Sequence, residues 1–217
     1  MAGVNDQGEP SGQPQGRERS AGADTFGPGT ALVIVDVQND FVDPGGGLYV
    51  SGGEDVVEPI NDLIDRFIEQ GGAVLYTQDW HPPRTPHFVT DGGPWPVHCV
   101  AGTWGAELHP RLRIAGEVVR KGVNGEDGYS GFSMLDPKSG KVGATALEGL
   151  LEERGARSVF VVGVAGDVCV KATALDAAAR GFDTAVVRSA VRSVELQPGD
   201  ESRAYDELVR AGVKLVE

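Results

Sequence analysis

Hydrophobic and polar positions along this chain follow two rhythms that alternate. Ala31-Leu32-Val33-Ile34-Val35, Ala73-Val74-Leu75-Tyr76-Thr77 and Ser158-Val159-Phe160-Val161-Val162-Gly163-Val164 are continuous apolar runs rich in β-branched residues. Such runs predict strands buried on both faces of a parallel sheet. Between the first two, Val56, Val57, Ile60, Leu63, Ile64, Phe67 and Ile68 recur with helical period, and Gly71-Gly72 stops the helix. Farther on, the pattern predicts a short strand over Glu117–Arg120 and a helix over Ala144–Arg154. A helix over Val168–Arg180, a strand over Asp183–Arg188, a helix over Asp200–Ala211 and a last strand over Val213–Val216 follow. The stretch from Gln78 to about Arg113 keeps neither rhythm; rich in Pro, Gly, His and Trp, it reads as a long loop. Strands alternating with helices predict an α/β fold around a mostly parallel sheet.

Residues 1–28 stand apart. Gly, Pro, Gln, Ser and Glu dominate them, and Met1, Val4 and Phe26 are their only large apolar residues. Too little apolar surface is available there to offset ordering entropy, so this segment is expected to be a disordered tail, and residues 29–217 a single domain. The net charge is −13, of which only −2 falls on the first 29 residues (Asp6, Glu9, Glu18 and Asp24 against Arg17 and Arg19). An acidic body lacks the cationic footprint that nucleic acid or an anionic membrane surface requires. No apolar run approaches the roughly 18 residues of a membrane span, and the N-terminus has no apolar signal core. With two cysteines and no disulfide framework, a cytoplasmic location is expected.

Ligands of open α/β sheets bind at the carboxyl ends of the strands, and the unusual residues fall there: Asp36, Asp79 with His81, Lys121, and the segment ending in Cys169. Three of the four histidines, His81, His87 and His98, follow Asp79 closely. Imidazoles beside a carboxylate suit a divalent metal, zinc with iron or manganese as alternatives. His109 lies outside that spacing and reads as structural. Cys169 sits where a buried strand gives way to a helix, and the first turn of a helix favours the nucleophilic thiolate and can stabilise an oxyanion. The competing reading is a buried, inert thiol; Cys99, with no such helix start, is assigned to packing. A nucleophilic cysteine needs a proton acceptor. With the histidines taken by the metal spacing, Asp36 is the candidate base and Lys121 the candidate cation, unless Asp36 merely caps its turn and Lys121 is a surface charge.

Several segments together resemble one family. They are Val35-Asp36-Val37-Gln38-Asn39-Asp40-Phe41, Thr77-Gln78-Asp79-Trp80-His81 with His87, and Trp95-Pro96-Val97-His98-Cys99-Val100-Ala101-Gly102-Thr103. Lys121-Gly122, Tyr129-Ser130-Gly131-Phe132 and Gly163-Val164-Ala165-Gly166-Asp167-Val168-Cys169-Val170 continue the set. Over residues 30–217 the chain resembles the nicotinamidases (pyrazinamidases) of the isochorismatase-like cysteine hydrolase superfamily. The resemblance implies a three-layer α/β/α, Rossmann-like fold and hydrolysis of nicotinamide to nicotinate through a cysteine thioester. It implies Asp36, Lys121 and Cys169 as catalytic triad, and Asp79, His81, His87 and His98 as ligands of one divalent metal. It also implies a cis peptide before Ala165, an oxyanion hole from the amides of Ala165 and Cys169, and a ring pocket of Phe41, Trp95 and Tyr129. The metal would receive the pyridine nitrogen. Val168 departs from members that carry histidine there, which alters the pocket and leaves the triad intact. Two alternatives remain: an amidohydrolase of the same superfamily acting on another small amide, and a non-catalytic protein that captures pyridines. The chain would act as a monomer or homo-oligomer.

Overall fold

The computed structural model describes Met1 and residues 26–217. Its framework is a six-stranded, wholly parallel sheet in the order β3-β2-β1-β6-β7-β8. The strands are β1 (Thr30–Val35), β2 (Ala73–Asp79), β3 (Glu117–Lys121), β6 (Ser158–Val164), β7 (Asp183–Arg192) and β8 (Lys214–Val216). Helices α1 (Asn39–Val42), α2 (Val57–Gln70), α3 (Leu147–Glu153), α4 (Lys171–Ala179) and α5 (Asp200–Arg210) complete the body, with a small antiparallel hairpin of β4 (Ser133–Leu135) and β5 (Val142–Ala144).

Alternation along β1 makes the layers. Leu32 and Ile34 pack with Ile60, Ile64 and Phe67 of α2 on one face. Ala31, Val33 and Val35 point the other way, into a second core with Leu147 and Leu151 of α3, Ala174 and Ala177 of α4 and Leu208 of α5. A central strand buried on both faces is what its unbroken apolar run requires, and the three-layer α/β/α expectation holds.

Several boundaries differ from the pattern reading. Val142–Ala144 belong to β5, so α3 begins at Leu147, where the Thr145 hydroxyl accepts the Leu147 amide at 3.1 Å. The hairpin strands are too short and too exposed to carry a period. After β6 the chain makes one π-type turn, Gly166–Val170, before α4. β7 runs to Arg192 instead of ending at Arg188, with a register shift against β6 between Val161 and Gly163. The tail boundary at residue 28 also moves. Phe26 is 2% exposed and stacks on Phe67 with ring centroids 4.4 Å apart, so the packed body reaches back to it. The rest of the expected tail, apart from Met1, lies outside the described residues. Among the described residues no helix is long and apolar enough to cross a membrane.

Candidate active site

Sheet register sets the site. β2 and β3 pair so that Asp79 and Lys121 are direct neighbours at their carboxyl ends. Asp36 follows β1 in the left-handed region at φ 52°, a strained conformation for a non-glycine residue. Its carboxylate turns inward: Oδ1 accepts the Thr77 hydroxyl at 2.7 Å and Oδ2 accepts Lys121 Nζ at 2.7 Å. Asp36 therefore does not cap its own turn through its side chain. Lys121 is 0% exposed, so the surface-charge alternative fails. Its ammonium also lies 2.8 Å from Asp79 Oδ1 and 3.9 Å from Cys169 Sγ, and it donates to the Gly128 carbonyl. Cys169 sits in the π-type turn, with the Val164–Ala165 peptide just upstream in the cis form.

Burial governs the protonation states. It pushes Asp36 up to about 6 against the pull of Lys121. Burial would lower Lys121, but Asp36 and Asp79 prevail and hold its ammonium well above the ordinary lysine range. Burial raises Asp79, but Lys121, His81 and His98 together outweigh it and hold the carboxyl well below the usual carboxylate range. The expectation of a thiolate favoured by the helix start is corrected for Cys169. Burial pushes this thiol well up, and the carboxylates of Asp36 and Asp79 add to burial against the pull of Lys121. The resting sulfur is a thiol that needs a base.

The side chains of His81, His87 and His98 meet beside this group, each offering one nitrogen within 4.8 Å of the others. All three are buried. His81 Nε2 and His98 Nε2 lie 3.7 and 3.9 Å from Asp79 Oδ2. Burial lowers His87 and brings His98 down to about 4, so both rings are neutral near pH 7, as metal ligands must be. Among the described residues, neither ring nitrogen of His81 has a hydrogen-bond partner. A buried imidazole left without any partner is costly in protein alone, and a divalent ion among Asp79, His81, His87 and His98 would satisfy it. The residues fit a metal. Gly122, at φ 71°, makes room: a Cβ there would fall 2.5 Å from His81 Nδ1. His109 stays outside the cluster and accepts the Arg111 amide.

Other residues hold the site in place without having been singled out. Gln38 clasps the Asp79 backbone in both directions, Oε1 accepting its amide at 2.8 Å and Nε2 donating to its carbonyl at 2.7 Å. Asn39 Nδ2 donates to the Trp104 carbonyl. Asp40 accepts the amides of Gly47 and Cys99, the latter next to His98. Consecutive polar side chains after β1 thus anchor the loops that carry the acidic and imidazole groups. The only hint in the sequence is that a run of polar residues closely follows an apolar core strand.

Above Cys169 opens a mainly apolar pocket. Phe41, Leu48, Val50, Trp95, Tyr129, Val164, Ala165, Val168 and Val194 line it, with Asp79, His87 and His98 at one side. Trp95 Nε1 donates to the Tyr129 hydroxyl at 2.8 Å, fixing two aromatic walls. A thiol, a carboxyl group and a buried ammonium at one side of an apolar pocket, with a histidine cluster at the other, are groups that could perform acyl transfer on a small aromatic amide. Residues 30–217 match the isochorismatase domain. The chain belongs to the isochorismatase family. The isochorismatase-family chain is 37% identical to a nicotinamidase of Acinetobacter baylyi, over 86% of its own length and 91% of the relative's. Its fold is similar to that of PnC1 from L. infantum solved in complex with nicotinate, with 42% identity, TM-score 0.79 and coverage of 88% and 93%. It is also similar to the pyrazinamidase of Pyrococcus horikoshii in complex with zinc, with 38% identity, TM-score 0.77 and coverage of 88% and 99%.

Proposed function

We propose that this chain is a nicotinamidase, hydrolysing nicotinamide, and pyrazinamide as its close analogue, to the carboxylate and ammonia. The observation that carries this reading is the convergence of Asp36, Lys121 and Cys169 under an apolar pocket that the histidine cluster closes on one side. The nicotinamidases among its relatives support it.

Asp36 takes the Cys169 thiol proton, and the sulfur attacks the carboxamide carbon. The amides of Ala165 and Cys169 stabilise the resulting oxyanion, a contact of this kind contributing roughly 3–4 kcal/mol. Collapse expels ammonia, to which protonated Asp36 returns the proton. Water then enters with Asp36 as base, and the thioester is released as nicotinate. Lys121 keeps the acidic partners close without moving a proton. Phe41, Trp95 and Tyr129 hold the ring face. Asp79, His81, His87 and His98 would hold one divalent ion, zinc by preference for such a nitrogen- and oxygen-donor set, and it would supply Lewis-acid chemistry beside the ring pocket. A binding protein would need no buried nucleophile paired with a base, which separates this reading from simple pyridine capture.

The test is ammonia and nicotinate release from nicotinamide by the purified chain, with Cys169→Ala as control. Stoichiometric release that the control abolishes is the expected result. Turnover of nicotinamide undiminished in Cys169→Ala, or none in the metal-supplemented wild type, overturns the proposal.

A further inference from the structure

We propose that Asp127 is the positioning residue of the metal site. It holds His87 as the tautomer protonated at Nδ1 and turns Nε2 toward His81 and His98. This inference rests on the metal-site reading above. His87 Nδ1 lies 2.7 Å from Asp127 Oδ1. An ionised carboxylate only accepts, so the shared proton belongs to the ring, and the free lone pair is on Nε2. His98 is oriented in the same sense by the Pro96 carbonyl at 2.7 Å, while His81 has no such partner among the described residues. Among the three rings, His87 alone is oriented by a charged group, and a carboxylate behind a ligating imidazole raises its donor strength as well as fixing its direction.

The carboxylate has a firm base. Asp127 exchanges both backbone hydrogen bonds with Leu135 of β4 at 2.8 Å each, so the hairpin the sequence did not reveal is its anchor. The Thr85 hydroxyl donates to the Gly125 carbonyl at 2.9 Å and ties the same loop to the segment that carries His87. The next two residues reach the rest of the site. The Gly128 carbonyl accepts Lys121, and the Tyr129 hydroxyl accepts Trp95. One short run thus touches the imidazole cluster, the buried cation and the ring wall in succession.

Zinc affinity of the full chain, measured by competition with a chromophoric chelator, tests this. Asp127→Ala should bind zinc about 10- to 100-fold more weakly than wild type, the usual loss when such a partner is removed. Asp127→Asn, which keeps an acceptor and loses the charge, should lose several-fold, and His87→Ala sets the scale for a missing ligand. Equal thermal midpoints of the metal-free proteins would show that the loss is not one of folding. At saturating zinc, kcat of Asp127→Ala should recover, a rescue that a general structural defect would not give. If Asp127→Ala does not fold, Asp127→Asn decides. Affinity within about twofold of wild type in the folded variants, where a carboxylate behind a ligand ordinarily matters tenfold or more, overturns the proposal. Because zinc binding is read directly, a wild type that binds zinc but leaves nicotinamide intact would sink the nicotinamidase reading alone.

Discussion

Lys121 shows what a single residue can carry. Its ammonium is buried between Asp36 and Asp79, at 2.7 and 2.8 Å, so its removal leaves two carboxylates facing each other without a counter-charge. Breaking a buried pair in this way costs about 3–5 kcal/mol. Lys121→Ala should therefore lose both activity and thermal stability, and calorimetry beside the rate assay checks this; a variant as stable as wild type would contradict the pairing. Asp36 makes a pH prediction. It acts as a base only when ionised, and burial pushes it up to about 6, so kcat/KM should fall as pH drops below about 6 and level off above it. The stability sign is opposite. A folded value above the ordinary aspartate value of about 3.9 means the folded state binds the proton more tightly, so this group's contribution is present at low pH and lost as pH rises through 6. Rates and denaturant midpoints from pH 4 to 8 read both. Asp36, Lys121 and Cys169 were legible as residues because charge and sulfur at strand ends stand out in an apolar pattern. The state of Cys169 was not, since local helix position says nothing of how deeply the fold buries the thiol or which carboxylates it brings near.

Elements decide which of those residues meet. The carboxyl ends of β2 and β3 bring Asp79 beside Lys121, and the loop from Trp80 to Thr103 is drawn back over them. Trp80 donates to the Lys121 carbonyl, and His81 and Ala101 bond in a bridge beside Cys99. A metal on Asp79, His81, His87 and His98 would staple this loop to β2. Removing it with a chelator should lower the thermal midpoint, and zinc at a hundredfold excess over Kd should restore about 2.7 kcal/mol. An unchanged midpoint with and without zinc would contradict the ligand set. Parallel strands and α2 were legible because their apolar periods are long. Hairpin β4–β5, with Leu135 and Val142 exposed, was not: its strands are short and bury almost nothing, so tertiary contact and not pattern makes them. Asp127 was hidden for the same reason, because its partner His87 is 40 residues away.

At the scale of the whole molecule, Phe26 marks how far the packed body reaches toward the N-terminus. Composition alone put the boundary after residue 28, because a lone phenylalanine among Gly, Pro and polar residues carries no period. In three dimensions Phe26 is a core residue. Its ring stacks on Phe67, meets the edge of Phe160 with centroids 5.1 Å apart, and lies under the Arg66 guanidinium at 4.4 Å, while its amide donates to Gln70 Oε1 at 3.0 Å. It thereby seals the end of the α2 layer against β6. Emptying a buried aromatic site of this kind costs about 3–5 kcal/mol. In a domain of this size each kcal/mol moves the midpoint by roughly 2–4 °C, so Phe26→Ala should melt roughly 6–20 °C below wild type. A chain that starts at residue 25 should keep wild-type stability and turnover, since no residue before Phe26 is matched to the chemistry and that stretch has little apolar surface to bury. Thermal scans and nicotinamide kinetics on the two variants separate the possibilities. Equal stability of Phe26→Ala and wild type would return the boundary to residue 28. A loss of more than about tenfold in kcat/KM, or roughly 1.4 kcal/mol of transition-state stabilisation, in the shortened chain would show that the upstream segment takes part in the site.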